Sequence, residues 1–234
     1  MLFSLVIPCY NESESSPMLV RRCEDMLNTS NLNIEVILVD NGSIDNTYEI
    51  LKKNINNQNI KILKLNRNLG YGGGILEGLK FSSGDYIGWT HADSQTDPKD
   101  FEKGLNLIYE DNTSEVFIKG QRTGRSFIDY FFTFGMSIFE TIFLRKLLFD
   151  INAQPTIFSR KFFLSWENPP KDFSLDLYAY FLAKKENFLI RRFSVNFSKR
   201  LYGSSSWNTG LKSRLKFIKR TIIYSLSLKK SIND

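Results

Sequence analysis

Short apolar runs alternate with helically spaced segments along the first half of the chain. Residues 3–7 form an apolar run that ends at Pro8, which predicts a buried strand stopped by a loop. Residues 34–39, 61–65, 86–89 and 116–119 predict four more strands. Between them, residues 18–27, 45–53 and 75–81 carry the apolar spacing of helices. Asp97-Pro98 starts another helix, with proline early in its first turn. Residues 70–74 read as a glycine loop ahead of the third helix. Strands alternating with helices predict βαβ units and an α/β fold with a mainly parallel central sheet. Ligands on such sheets bind at the carboxyl ends of the strands.

Beyond Arg122 the alternation stops. Residues 126–149 form a helical stretch with aromatic side chains nearly all round, and 151–160 return to a strand-like pattern. Residues 176–185 read as a helix, 188–197 as a strand and 211–230 as a C-terminal amphipathic helix. There is no internal repeat and no low-complexity linker. The expected organisation is one domain over residues 1–210 and a basic extension over 211–234.

Composition narrows the class. The chain has 234 residues, 42% hydrophobic and 24% charged, which suits a folded globular protein rather than a disordered one. Its longest strongly apolar run without a charge, residues 130–139, falls short of the roughly 20 residues that span a bilayer, so no transmembrane helix is expected. The opening MLFSLVIPCYNE has no basic segment and reads directly as a strand, so no signal peptide is expected. Cys9 and Cys23 are expected as reduced, buried thiols of a cytosolic protein. A single histidine excludes a multi-histidine metal site.

The net charge of +6 is unevenly spread, because residues 184–230 hold 13 basic side chains and Glu186 as their one acid. Such a segment implies a polyanionic partner. No RNA-binding motif accompanies it, so nucleic acid is not expected as that partner. In the terminal helix Leu211, Leu215, Ile218, Ile222 and Leu226 make one apolar stripe, flanked by Lys212, Arg214, Lys216, Lys219 and Arg220. This is the pattern of an interfacial helix on an anionic membrane surface, and the alternative is that the stripe packs on the domain. The expected location is cytoplasmic and peripheral to the inner membrane face.

The candidate chemistry lies at the predicted strand ends. These are Pro8-Cys9-Tyr10-Asn11-Glu12, Asp40-Asn41-Gly42-Ser43 and His91-Ala92-Asp93-Ser94-Gln95. Convergent carboxylates there suit a divalent cation, Mg²⁺ or Mn²⁺, shared with a diphosphate, and hydrogen bonds to a base or ribose. The stretch Asn68-Leu69-Gly70-Tyr71-Gly72-Gly73-Gly74 lacks the G-x-G-x-x-G spacing and follows the third strand, so a nicotinamide cofactor is not expected. Its glycines would instead let a helix pack close to the nucleotide loop.

In order and spacing, SLVIPCYNE, ILVDNGSIDNT, LNRNLGYGGG, GDYIGWTHADSQTDP and KGQR resemble the family 2 glycosyltransferases of the GT-A fold, a Rossmann-like nucleotide-sugar-binding fold. DINAQPTIFSR and FSVNFSKRLYGSSSW resemble the subgroup that glycosylates polyprenyl phosphates, dolichol-phosphate mannosyltransferases among them. The resemblance covers residues 4–207. It implies inverting transfer from a nucleotide-sugar donor, a GDP- or UDP-sugar, to a polyprenyl phosphate. The alternatives are transfer to a glycan acceptor through a sugar hydroxyl, or a degenerate nucleotide-sugar binder without catalysis.

The resemblance also implies roles. Pro8, Tyr10 and Glu12 would line the nucleoside pocket, and Asp40 would accept hydrogen bonds from the base. Asn41 stands where the family often has a second acid. Asp93 would ligate the metal, Gln95 would support that site, and Arg122 would contact phosphate. The family's Asp-x-Asp reads His91-Ala92-Asp93 here, so His91 either ligates the metal or hydrogen-bonds the diphosphate. Asp176 matches an acid near the acceptor, with Asp172 close by, and one of the two could instead cap the following helix. Arg200 and Ser204 would hold an acceptor phosphate. A further arginine of the family is absent where this chain has Phe134 and Met136, and Arg125 is the candidate substitute.

Overall fold

The computed structural model describes residues 1–93, 95–111, 113–124, 127–197 and 211–233. The first half alternates as expected: β1 (Phe3–Cys9), α1 (Ser16–Thr29), β2 (Ile34–Asp40), α2 (Thr47–Asn54), β3 (Ile60–Lys64), α3 (Tyr71–Phe81), β4 (Tyr86–Trp89), α4 (Lys99–Glu110) and β5 (Val116–Thr123). Then follow α5 (Phe127–Leu144), β6 (Thr156–Ser159), α6 (Arg160–Leu164), α7 (Leu175–Lys185), β7 (Leu189–Asn196) and α8 (Leu211–Asn233).

One sheet runs in the order β3-β2-β1-β4-β6-β5-β7. β6 is antiparallel to both of its neighbours, and the other pairings are parallel. Strands buried on both faces read as continuous apolar runs, which is why β1 and β2 show no alternation. Phe3, Leu5 and Ile7 pack with α1 and α4 on one face. Val6, Ile37 and Val39 pack with α3 and α7 on the other. The chain first steps from β1 outward to β2 and β3, then returns to place β4 on β1's other side. The crevice between β1 and β4 is therefore the switch point at which such sheets bind ligands.

Three local expectations are corrected, and one element is new to the sequence reading. The glycines do not form a loop: Gly70 precedes α3, and Gly72, Gly73 and Gly74 lie in its first turn. Residues 151–155 are not strand, and β6 begins only at Thr156. The five-residue α6, capped by the Ser159 hydroxyl accepting from the Phe162 N–H, has no counterpart in the sequence pattern. The helix over 126–149 is shorter than expected and ends at Leu144.

The glycines of α3 have a packing reason. A Cβ on Gly72 would lie 2.7 Å from the carbonyl oxygens of both Pro170 and Asp172. Those atoms are backbone and cannot rotate away. Replacement Gly72→Ala should destabilise the protein by about 1–3 kcal/mol through overpacking, despite alanine's better helix propensity. Urea unfolding checks this, and an unchanged midpoint would mean that the 170–172 segment yields freely.

Candidate active site

A cavity of about 480 Å³ opens at the carboxyl ends of β1 and β4. β1 delivers Pro8, Tyr10 and Glu12 to its wall. The loop that carries them is stitched to the β2 loop. The Asn11 N–H donates to Ser43 Oγ at 3.1 Å, the Ile44 N–H donates to Asn11 Oδ1 at 3.0 Å, and the Glu12 N–H donates to Thr47 Oγ1 at 2.8 Å. The Glu12 carboxylate accepts from Ser15 Oγ at 2.7 Å.

Asp40 and Asn41 divide their work. Asp40 is 1% exposed and absent from the cavity wall; its Oδ1 accepts from the Ser43 N–H at 3.1 Å and shapes the turn. Asn41 lines the cavity, and its amide is used at both ends. Nδ2 donates to the Gly70 carbonyl at 2.9 Å and to Asn68 Oδ1 at 3.3 Å, while Oδ1 accepts from the Leu69 N–H at 3.1 Å. An acid here would set a carboxylate against the Gly70 carbonyl. This is the physical reason for an amide at this position.

From the end of β4, His91, Asp93 and Gln95 reach the same cavity. Asp93 Oδ1 accepts from the Gln95 N–H at 3.2 Å, and the His91 ring lies 5.9 Å from that of Tyr71. Among the described residues no cluster of three or more His, Cys, Asp or Glu side chains could hold a metal. A carboxylate and an imidazole on one wall do not make an all-protein cage. Their donors would suit part of the shell of a divalent cation such as Mg²⁺ or Mn²⁺.

The deeper part of the site is ionic. Arg122 lines the cavity, but its guanidinium is engaged: Nε donates to Asp150 Oδ1 at 2.9 Å, Nη2 donates to the same oxygen, and the Arg122 N–H donates to Asp150 Oδ2 at 2.9 Å. Burial alone would raise Asp150's pKa, but the Arg122 charge and hydrogen bonds outweigh it and hold the carboxyl below its usual range. Asp176, in the first turn of α7, also faces the cavity although it is 1% exposed. Gln154 Nε2 donates to its Oδ1 at 2.6 Å, and Lys119 Nζ stands 3.9 Å away. Neither Asp172 nor Asp176 caps α7: Ser174 occupies that position, and Asp172 Oδ1 accepts from the Ser174 N–H at 2.9 Å.

Sequence reasoning did not single out Tyr71, Lys119, Asp150 or Gln154. The signal available was a lone lysine inside the apolar run Val116-Phe117-Ile118-Lys119. Tyr71 stacks on Phe173 at 4.5 Å, and burial followed by the nearby Asp176 charge pushes its phenol pKa well up. Arg200, Ser204 and Arg125 lie outside the described residues.

Helices supply a mixed wall. α5 contributes Phe132 and Met136 beside Asp129, Thr133 and Ser137, and α8 contributes Ile218 and Thr221. α8 packs on α5 through Leu228 and Ser225, whose hydroxyl donates to the buried Glu140 carboxylate at 2.7 Å. Arg220 lies 3.5 Å from Asp172 and 5.2 Å from the Phe173 ring centroid. The buried face of α8 is thus rotated from the expected stripe, since Leu226 is exposed.

The sequence model for "Glycosyl transferase family 2" matches residues 4–164. The dolichyl-phosphate beta-glucosyltransferase of Dictyostelium discoideum is 26% identical over 84% of this chain and 66% of its own length. The undecaprenyl-phosphate 4-deoxy-4-formamido-L-arabinose transferase of Yersinia enterocolitica is 38% identical over 46% of this chain and 33% of its own length. The chain thus spans just under two thirds of the first of these curated relatives and one third of the second. Among solved structures, glucosyl-3-phosphoglycerate synthase from Mycobacterium tuberculosis, in complex with Mn²⁺, UDP-glucose and phosphoglyceric acid, superposes with a TM-score of 0.73. It shares 15% identity over 97% of this chain and 79% of that one, which establishes the fold. Asp176, β7 and α8 lie beyond the family match.

The Glu140–Ser225 clasp generates a pH dependence. Burial pushes the Glu140 pKa from 4.5 up to about 7, and the Ser225 hydrogen bond only partly opposes it. As pH rises the unfolded chain loses this proton first, so the clasp stabilises fully below pH 4.5 and weakens up to about pH 7. Glu140→Gln should gain about 2 kcal/mol over wild type at pH 8 and little in acid. Thermal unfolding at the two pH values measures the difference, and an equal effect at both would mean that Glu140 does not titrate in this range.

Proposed function

The chain belongs to glycosyl transferase family 2, and we propose that it moves a sugar from a nucleotide-sugar donor to a polyprenyl phosphate at an anionic membrane surface. One observation carries the reading: one cavity joins the polar strand ends to the apolar side chains Phe132 and Met136 of α5 and Ile218 of α8. A nucleoside diphosphate suits the first part and a prenyl chain the second. The relatives named for dolichyl and undecaprenyl phosphates support the acceptor class. The UDP-glucose complex of the mycobacterial synthase supports a UDP-sugar as the first donor to assay, ahead of a GDP-sugar.

In this reading Pro8, Tyr10 and Glu12 bound the nucleoside. Asp40 acts on it through the Asn41-Gly42-Ser43 turn that it holds. The leaving diphosphate develops negative charge that must be neutralised. Asp93, oriented by the Gln95 N–H, and His91 would hold Mg²⁺ or Mn²⁺; when bound, the ion supplies that positive charge. Arg122, fixed by Asp150, adds a cation at the cavity wall. A phosphate acceptor is already an anion at neutral pH and needs no general base. Asp176, an acceptor-only carboxylate, suits sugar hydroxyls and the positive charge that develops at the anomeric carbon. Arg200 and Ser204 are the proposed partners of the acceptor phosphate. Asp176 also favours a second reading, transfer to a glycan hydroxyl, for which it would be the general base.

Among the described residues no helix is long and apolar enough to cross a membrane. α5 nevertheless exposes an outward stripe of Phe127, Phe131, Phe134, Ile138 and Ile142, with Phe127 83% and Ile142 74% accessible. Together with the basic composition of residues 184–230, this face supports peripheral attachment to an anionic, cytoplasmic-side membrane.

With Mn²⁺ or Mg²⁺ present, the full chain should transfer label from a nucleotide sugar to a polyprenyl phosphate and release nucleoside diphosphate. Transfer to glycan hydroxyls with none to lipid would favour the second reading. Asp93→Asn, or chelation of the ion, should cut the rate about 10²-fold or more, the scale of losing a charge-stabilising group. Full activity in Asp93→Asn would remove Asp93 from the site. Separately, the protein should co-sediment with anionic liposomes at low salt, and Phe127→Ser with Phe131→Ser should weaken this markedly. Binding that ignores both salt and the double substitution would overturn the membrane assignment.

A further inference from the structure

The steps above leave one buried cation without a role. Lys119 lies in β5 and is fully buried. Its ammonium donates to the Ala153 carbonyl at 2.8 Å and to Thr156 Oγ1 at 3.0 Å, and stands 3.9 Å from Asp176 Oδ1. Gln154 bridges the same carboxylate to the Tyr71 hydroxyl, donating from Nε2 at 2.6 and 3.0 Å. Asp176 and Tyr71 reach the cavity wall, whereas Lys119 and Gln154 do not. A carboxylate thus faces the substrate space with a cation and an amide directly behind it.

We propose that Lys119 is a positioning residue that, with Gln154, fixes the Asp176 carboxylate at the cavity wall during transfer. The inference rests on the role given to Asp176 above. A carboxylate with so little water around it is costly to hold in place unless an opposite charge and hydrogen bonds lie close by. Lys119 supplies that charge from behind the wall, where it cannot compete with the substrate for the outward oxygen. Burial draws Lys119's own pKa down to about 8, with Asp176 opposing the shift, so the ammonium is charged at neutral pH. The other charged groups around the pair are Arg192 on β7, with Asp150 and Arg122 beyond it, and these largely balance one another. Tyr71 approaches from α3, with Asp93 acting on it at longer range.

The test is steady-state kinetics of the full chain across the pH range in which it is folded, for wild type, Lys119→Met, Asp176→Asn and the double variant. In Lys119→Met kcat should fall about ten-fold or more at neutral pH, with the donor KM nearly unchanged, because the carboxylate is no longer held in place. In the Asp176→Asn background the lysine substitution should cost nothing further, since its effect runs through that carboxylate. Gln154→Leu, which leaves the cation in place, should show a smaller fall in kcat, again with the donor KM nearly unchanged, and serves if Lys119→Met does not fold. An unchanged kcat in soluble Lys119→Met or Gln154→Leu, with Asp176→Asn strongly impaired, would overturn the inference while leaving the transferase reading standing. Failure of the wild-type chain to transfer sugar from any nucleotide donor would instead remove the reading on which the inference rests.

Discussion

Everything in this protein depends on parallel strands being buried on both faces. Such strands carry few polar residues along their length, and those few, such as Ser4 and Glu35 in β1 and β2 or Lys119 in β5, are paired, so most polar chemistry collects at the strand ends. Register then decides which ends meet. β1 and β2 run in step, with Cys9 opposite Asp40, and the Asn41 N–H donates to the Cys9 carbonyl at 2.8 Å. On the other side Trp89 is opposite Val6, so β4 stops earlier and releases His91 and Asp93 beside Pro8 and Tyr10. The strand-end groups converge because the core leaves them no other place.

The antiparallel strand adds what parallel strands cannot. β6 sits between β4 and β5 and enters the sheet at the edge where they end. Its first residue, Thr156, and Gln154 just ahead of it therefore arrive at the base of the cavity, next to Lys119. α7 meets them there with Asp176. Four segments far apart in the chain are joined by one buried polar network. Such networks carry weight because an unpartnered member would be expensive in so dry a place. Their orienting effect follows from the same cost: each side chain has few alternatives to its present position.

The alternating half of the fold was legible because period and strand-end polarity are local signals. The glycines of α3 were misread because their propensity argues for a loop. The reason for them is the backbone of residues 170–172, and no local pattern shows that approach. Residues 151–155 were misread as strand because Ile151 and Ala153 are apolar, yet both are buried in irregular chain. The strand-end residues of the site were legible. Asp40 differs from expectation in placement, beneath the turn rather than on the cavity wall. The buried half of the site was not legible, since Lys119, Asp150 and Gln154 acquire meaning only through partners distant in sequence.

The same limit applies to the helices. α5 is apolar nearly all round and cannot bury every side against one sheet. One side accepts α8, through a polar clasp between Glu140 and Ser225 that no search for apolar stripes would find. That clasp rotates α8, turning Ser225 and Leu228 inward, with Ile218 and Thr221 at the cavity and Leu226 outward. Another side of α5 lines the cavity with Phe132 and Met136. The remaining side keeps its aromatic stripe outward. A helix that is at once a cavity wall and an exposed apolar face links the two spatially. Any apolar surface that covers the stripe lies within one helix diameter, about 10 Å, of the space where transfer would occur. A long apolar acceptor could then be reached without leaving its own phase, and the basic segment would bias that surface toward negative charge.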